Sequence, residues 1–171
     1  KEFQKYIDTI LKAKRLEVCS TTMPQMSIPL ILGDPRYKEH LINRAKKYEK
    51  RAKEASKIFS GIEGVRLIEP KGAFYMTVIF DDKTLNNAQT LNIDNELVRK
   101  RIEELCSQKN IENDKRFVYY LLGATGIISV PLTGFYSKIK GMRLTLLEED
   151  DNKRVEIFET IRNKIVEYIG K

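Results

Sequence analysis

Arg143 is the residue in this sequence whose type and setting most directly offer chemistry. It stands in Gly141-Met142-Arg143-Leu144-Thr145-Leu146-Leu147, where apolar and polar or small residues alternate as they do along a half-buried strand. The alternation puts Met142, Leu144 and Leu146 on one face and Arg143, Thr145 and Leu147 on the other. A guanidinium cannot give up its charge and is seldom buried without a partner. Two readings are open: an arginine on a solvated sheet face, or a fixed two-pronged donor for a small carboxylate, which needs parallel N–H groups on a rigid element. The other chemistry-bearing types are thinly spread. The single histidine, His40, lies early in a helical stretch and reads as a surface residue. Cys19 and Cys106 are far apart, with no Cys-x-x-Cys spacing, so they read as buried fillers in a reducing, cytoplasmic compartment rather than as a metal or redox motif.

The elements that must position Arg143 can be read from periodicity and capping signals. Phe3, Tyr6, Ile7, Ile10 and Leu11 are spaced as one face of a helix. Val18 to Gln25, hydroxylic and carrying Pro24, reads as a loop, and Met26 to Leu32 is either a turn of helix or a buried extended segment. Gly33-Asp34-Pro35 opens a long helix, with Asp34 as cap. Its narrow seam is Leu41, Ala45, Tyr48, Ala52, Ala55 and Phe59, and Gly61 and Gly64 end it. A helix of that length with so thin a seam is expected along an edge, joining two bodies.

Val65–Glu69 and Ala73–Phe80 then form a hairpin about Pro70-Lys71-Gly72, with Phe74, Met76, Val78 and Phe80 on one face. After an Asn-rich loop, Asp94 caps a helix to Cys106 that buries Leu97, Ile102 and Leu105. Asp114 caps another, which stops at Gly123 or Gly126. Ile127–Val130 reads as a short strand halted by Pro131. The Arg143 strand follows, and last comes a helix opened by Asp150-Asp151 with Val155, Phe158, Ile161, Ile165 and Ile169 buried. The fold class expected is α+β: a small, mainly antiparallel sheet with helices on one face, preceded by a long interdomain-type helix. The expected divisions are residues 1–33, 34–61 and 62–171.

The net charge of +7 invites a nucleic-acid partner. However, between Arg36 and Lys57 nine Lys or Arg meet three Glu, so nearly all the excess sits on the long helix. No aromatic stacking residues or groove-fitting motif accompany that patch, and neither nucleic acid nor membrane is expected as a partner. The chain opens on Lys1-Glu2, charged and already helical in character. That start shows no signal peptide and suits an interior piece of a longer protein.

Several fragments, in order, resemble the C-terminal third of the class I/II, fold-type-I pyridoxal-phosphate aminotransferases. They are the helix carrying Tyr48 and Arg51, then Pro70-Lys71-Gly72-Ala73-Phe74-Tyr75, then Gly126-Ile127-Ile128-Ser129-Val130-Pro131, then Phe135 and Gly141-Met142-Arg143-Leu144. Arg15 to Ser20, followed by Gln25, is most similar to the alanine-aminotransferase branch. The resemblance implies that Arg143 binds the substrate's α-carboxylate and that the small domain closes over the site. Phe135 and Tyr136 are candidate pocket walls or core residues. It also implies that Ser20 and Thr21 lie near the cofactor of a neighbouring subunit in a homodimer. The parent enzyme would use pyridoxal 5′-phosphate, held by a large domain of the same protein, to exchange amino groups between a 2-amino acid and a 2-oxo acid.

The sequence departs from the family in one consequential way: no lysine here stands in a segment like the family's Schiff-base lysine, and the Gly-rich phosphate cradle is missing. The chain alone is therefore not expected to be active. The loop after Pro131 departs too, reading Leu132-Thr133-Gly134 where the family commonly has glycine directly after the proline. The other function class in view is a non-catalytic interaction or ligand-sensing module whose basic helix binds an acidic partner.

Overall fold

The computed structural model describes residues 2–16 and 21–170, Glu2 by its backbone alone. Val18, Cys19 and Ser20 lie outside the described residues. The chain divides into two compact units, Lys1–Asn43 and Arg44–Lys171.

The first unit contains α1 (Glu2–Arg15), α2 (Thr22–Gly33) and the opening of α3 (Tyr37–Phe59). The expected helical face of α1 forms, and Phe3, Tyr6, Ile10 and Leu11 along it are exposed. The region 21–32 differs from expectation: Thr22 to Gln25, read as loop, begins α2. Proline and hydroxyl residues suit a loop, but they equally suit a helix's first turn, where N–H groups have no intrahelical acceptor. Pro29 lies inside the helix, and no residue of α2 is buried. Asp34 shapes the turn before α3: its Oδ1 accepts the Arg36 backbone N–H at 2.8 Å and its carboxylate pairs with the Arg36 guanidinium. The helix itself starts at Tyr37.

The second unit is α+β. Its sheet has the order β1-β2-β4-β3, with β1 Val65–Ile68, β2 Tyr75–Phe80, β3 Val130–Pro131 and β4 Gly141–Thr145, every pairing antiparallel. Met76, Val78 and Phe80 from β2 and Met142 and Leu144 from β4 face the core. There they meet the C-terminal half of α3, then α4 (Glu96–Cys106), α5 (Asn113–Thr125) and α6 (Asp151–Ile169). Aromatic rings join these layers, with Phe80 edge-on to Phe117 at 5.4 Å and Phe117 to Tyr168 at 5.0 Å. The expected seam of α3 is buried at Ala52, Ala55 and Phe59, while Leu41 is exposed. Phe74 falls in the bend before β2 rather than in the strand.

Several local expectations shift by a residue or more. Asn95, not Asp94, caps α4, accepting the N–H groups of Leu97 and Val98, and Asp94 accepts from the Asn92 side chain instead. Leu97 is consequently exposed on the first turn, and Ile102 and Cys106 carry the buried side. Gly126, at φ +74°, ends α5. Gly123 serves packing, because a Cβ there would stand 2.7 Å from Ile93 Cδ1 and 2.8 Å from Ile102 Cγ1. Ile127–Ser129 is not strand; only Val130 and Pro131 pair, on an edge where proline's missing N–H does no harm. The buried stripe of α6 is Arg154, Phe158, Ile161, Ile165 and Tyr168, so the expected stripe is turned at both ends to take in an arginine and a tyrosine.

The cap of α5 is the most consequential difference. Glu112 occupies the cap position. Asp114, two residues further on in the first turn, is fully buried and turns its carboxylate toward Thr133 and Gly141.

Candidate functional site

β4 is an interior strand, and the face opposite its core residues is where Arg143 emerges. Arg143 stands opposite Thr77 of β2 on one side and Val130 of β3 on the other. Being flanked by hydrogen-bonded strands fixes its backbone, and its side chain is half-buried. Tyr75, at the start of β2, places its ring 4.3 Å from the guanidinium carbon. Phe135, at the end of a short 3₁₀ turn over Leu132–Phe135, places its ring 4.4 Å from the same carbon. Contact between a cation and two aromatic faces is attractive and removes rotamer freedom from a long side chain. Tyr75 is itself backed by Phe74 at 4.5 Å between ring centroids, and Phe74 by Tyr48 of α3 at 6.3 Å.

The hydrogen-bonding capacity of that guanidinium distinguishes it from the other shielded arginines. Arg51 donates to the Leu146 carbonyl at 2.7 Å and pairs with Glu149 and Asp151. Arg116 donates to the carbonyls of Cys106 and Asn87 at 2.6 and 2.9 Å. Arg154 donates to the Glu148 carbonyl, to Asp151 at 2.6 Å and to Glu54 at 3.1 Å. Those three are structural, their charge spread over carbonyls and carboxylates. Among the described residues the Arg143 guanidinium has no carboxylate within salt-bridge distance and donates no hydrogen bond. Its contacts are the two aromatic rings that lie against it, and its N–H donors have no partner among the described residues. A planar fork held this way suits an anion arriving in the plane of the guanidinium, as a carboxylate does in a bidentate pair.

A cavity of about 860 Å³ adjoins Arg143. Tyr75, Ser129, Thr145, Glu148 and Arg154 are among its lining residues, with Ile157 and Phe158 of α6 supplying apolar wall. Two carboxylates after β4, Glu149 on the cavity's lining and Asp151 close to it in sequence, are tuned by neighbours. The hydrogen bond from Arg154, aided by that residue's charge, holds the Asp151 carboxyl below the usual aspartate range. The hydrogen bond from Lys47, together with its charge and that of Arg51, does the same for Glu149. Among the described residues no lysine lines this cavity, so the residues present do not fit an aldehyde cofactor that must condense with an amine.

Of the residues singled out by sequence, Arg143 and Phe135 come together. Tyr136 does not join them: it takes a left-handed backbone, φ +59°, and its side chain is fully exposed. Thr21 precedes α2 in the first unit and makes no side-chain cap there, and Ser20 lies outside the described residues. Tyr75 is the member that side-chain typing missed. The pairing of β2 with β4 brings it across from Thr145, diagonal to Arg143, and the aromatic pair Phe74-Tyr75 after a turn was its only signal. Among the described residues no group of His, Cys, Asp and Glu has metal-site geometry, and no helix is long and apolar enough to cross a membrane. The basic face of α3, the feature behind the acidic-partner reading, is laced with carboxylates: Lys53 pairs with Glu49 at 2.6 Å, Lys50 with Glu54 at 3.7 Å, and Lys47 with Glu149.

Comparison with known proteins shows what the chain is similar to. A curated protein of Methanocaldococcus jannaschii described as an uncharacterised aminotransferase is 48% identical over 168 residues, which is 98% of this chain. The chain is thus similar, over nearly all its length, to part of a named aminotransferase. It spans 38% of that relative's length. An Escherichia coli aminotransferase of known crystal structure matches 71% of this chain and 23% of its own, at 21% identity and a TM-score of 0.45. No family model matches the sequence.

Proposed function

We propose that this chain is the substrate-carboxylate domain of a pyridoxal-phosphate-dependent aminotransferase of fold type I. In this reading Arg143 receives the α-carboxylate of a small 2-amino acid or 2-oxo acid. The observation that carries the proposal is the Arg143 fork itself, a guanidinium clasped between Tyr75 and Phe135 with its N–H donors unspent. The similarity to a named aminotransferase over 98% of the chain supports it from an independent direction.

The division of labour follows from what the residues can do. Arg143 binds and orients: two parallel N–H···O contacts set the carboxylate plane and so fix where the substrate's Cα stands. Tyr75 and Phe135 keep water from the guanidinium faces, which lowers the local dielectric and strengthens the ion pair. The cofactor, when bound to the whole enzyme, supplies the electron sink for amino transfer. Its lysine and phosphate ligands belong, in this reading, to a large domain of the same protein. A cytoplasmic homodimer in which the Ser20-Thr21 segment approaches the neighbouring subunit's cofactor completes the proposed assembly.

The test is made on the full-length protein. It is titrated with a panel of proteinogenic amino acids while the absorbance of the bound cofactor is followed, and transfer of the amino group to a 2-oxo acid is assayed. At least one amino acid is expected to shift the absorbance and give the corresponding 2-oxo acid. A cofactor spectrum unmoved by every amino acid would defeat the proposal.

A further inference from the structure

Asp114 is a fully buried carboxylate with no cation within salt-bridge distance among the described residues. Burying a carboxylate is costly unless donors replace the lost water. Three do so here. The Thr133 backbone N–H donates at 3.0 Å, the Thr133 hydroxyl at 2.5 Å and the Gly141 backbone N–H at 3.3 Å. Its place in the first turn of α5 adds the favourable end of the helix dipole.

The positions of these donors give the carboxylate its meaning. Thr133 lies within the 3₁₀ turn and Gly141 opens β4, so the two stand on either side of the loop 136–140 that joins them. Thr133 precedes Phe135 by two residues, and Gly141 precedes Arg143 by two. One side chain therefore fixes both the strand that carries the guanidinium and the turn that carries the ring lying on it. Space at Gly141 is just as constrained: a Cβ there would collide with the Val78 carbonyl and stand 2.8 Å from Leu132 Cδ1. Glycine is what lets β4 begin so close to the turn.

We infer that Asp114 is a positioning residue for the carboxylate fork, holding Phe135 against Arg143 from the opposite end of the loop. The inference rests on the proposed carboxylate-binding role of Arg143. It assigns specificity to a residue that touches no substrate: with Asp114 in place Arg143 keeps one rotamer, and without it the ring lifts and the fork must be ordered by the substrate itself, which weakens binding.

The experiment uses the full-length protein and three variants, Asp114→Asn, Thr133→Val and Thr133→Ser, with Arg143→Lys beside them. Each amino acid of a proteinogenic panel is compared with the amine that lacks its carboxylate. Asp114→Asn keeps the shape and removes the charge. Its carbonyl oxygen can still face both loop N–H groups in place of Oδ2, while its NH2 replaces Oδ1 opposite the Thr133 hydroxyl and reverses that bond, so the charge-assisted hold on the loop is lost. Thr133→Val removes a single hydroxyl donor and keeps the volume. For both we expect KM for amino acids to rise by about tenfold with kcat changed far less, the signature of lost ground-state ordering. Amines should lose much less than amino acids. Thr133→Ser, which restores the hydroxyl, should recover most of the KM. Losses of equal size for amino acids and amines, or a fall confined to kcat, would reduce Asp114 to a purely structural residue and overturn the inference. Should Asp114→Asn fail to fold, Thr133→Val with its serine rescue decides alone. If Arg143→Lys itself fails to discriminate amino acids from amines, the carboxylate-fork reading falls and takes this inference with it. If Arg143→Lys discriminates and neither Asp114→Asn nor Thr133→Val does, the Asp114 assignment alone falls.

Discussion

Single side chains in this protein differ most in how their polar groups are used. Arg51, Arg116 and Arg154 give their N–H groups to carbonyls and carboxylates, whereas Arg143 spends only its faces. Two other residues carry measurable strain or imbalance. Ala73 takes φ +58° in the bend that delivers Tyr75 to β2, a conformation costing an L-residue roughly 1 kcal/mol. Ala73→Gly is therefore expected to raise unfolding stability by about 0.5 kcal/mol, the relief being partly offset by glycine's freer unfolded chain, as read by denaturant titration. Tyr168 is fully buried and, among the described residues, its hydroxyl has no hydrogen bond of good geometry, with Arg116 the nearby donor. Burial pushes its phenol up to about 12, an effect only partly countered by the nearby Arg116 charge. An unfolded phenol titrates near 10 and so releases its proton first. Stability should be intact below pH 10 and decline as pH rises toward 12. Tyr168→Phe should leave neutral-pH stability within about 1 kcal/mol and blunt that alkaline decline; a large loss at pH 7 would mean that the hydroxyl is bonded after all.

At the level of elements, the segment from Leu146 to Asp151 is anchored by Leu146 in the core and held between α3 and α6 by two arginines. Arg51 takes the Leu146 carbonyl, and Arg154 takes the Glu148 carbonyl and Asp151. Arg51→Met keeps the volume and strands those acceptors, so a loss of about 3 kcal/mol is expected by denaturant unfolding. Acid should act on the same clamp. Asp151 and Glu149 have folded pKa values below the ordinary carboxylate range. They contribute stability above the unfolded pKa and lose it as pH falls through the folded one. An acid unfolding curve that Asp151→Asn leaves unchanged would exclude this.

The elements themselves were largely legible from the chain. The stripes of α3 and α6 and the alternation of β2 and β4 report burial, and burial has a period. Boundaries were less legible where one residue type serves two purposes, as with Pro24 in the first turn of α2 and Gly123 packing inside α5. The clasp on Arg143 was only half visible. Phe135 could be named from the ordered fragments, but Tyr75 reaches Arg143 only through β2–β4 pairing, which skips from the second strand to the fourth. Asp114 looked like a cap because its type and position fit one, and nothing local shows that its acceptors' partners lie beyond residue 130.

Taken whole, the molecule places a guanidinium without a carboxylate partner on a small sheet, and among the described residues no lysine lines the adjoining cavity. The sequence likeness to a named aminotransferase runs through almost the entire chain yet covers 38% of that protein. Those two facts fit together if carboxylate recognition and cofactor chemistry are housed in different parts of one enzyme, as proposed above. The most direct test of that account is the ratio of kcat/KM for amino acids to that for the matching amines in full-length Arg143→Lys. Lysine keeps the charge and loses the two-pronged geometry. The account predicts a fall in that ratio of roughly a hundredfold, about 2.7 kcal/mol. A ratio unchanged from the wild-type protein would contradict it.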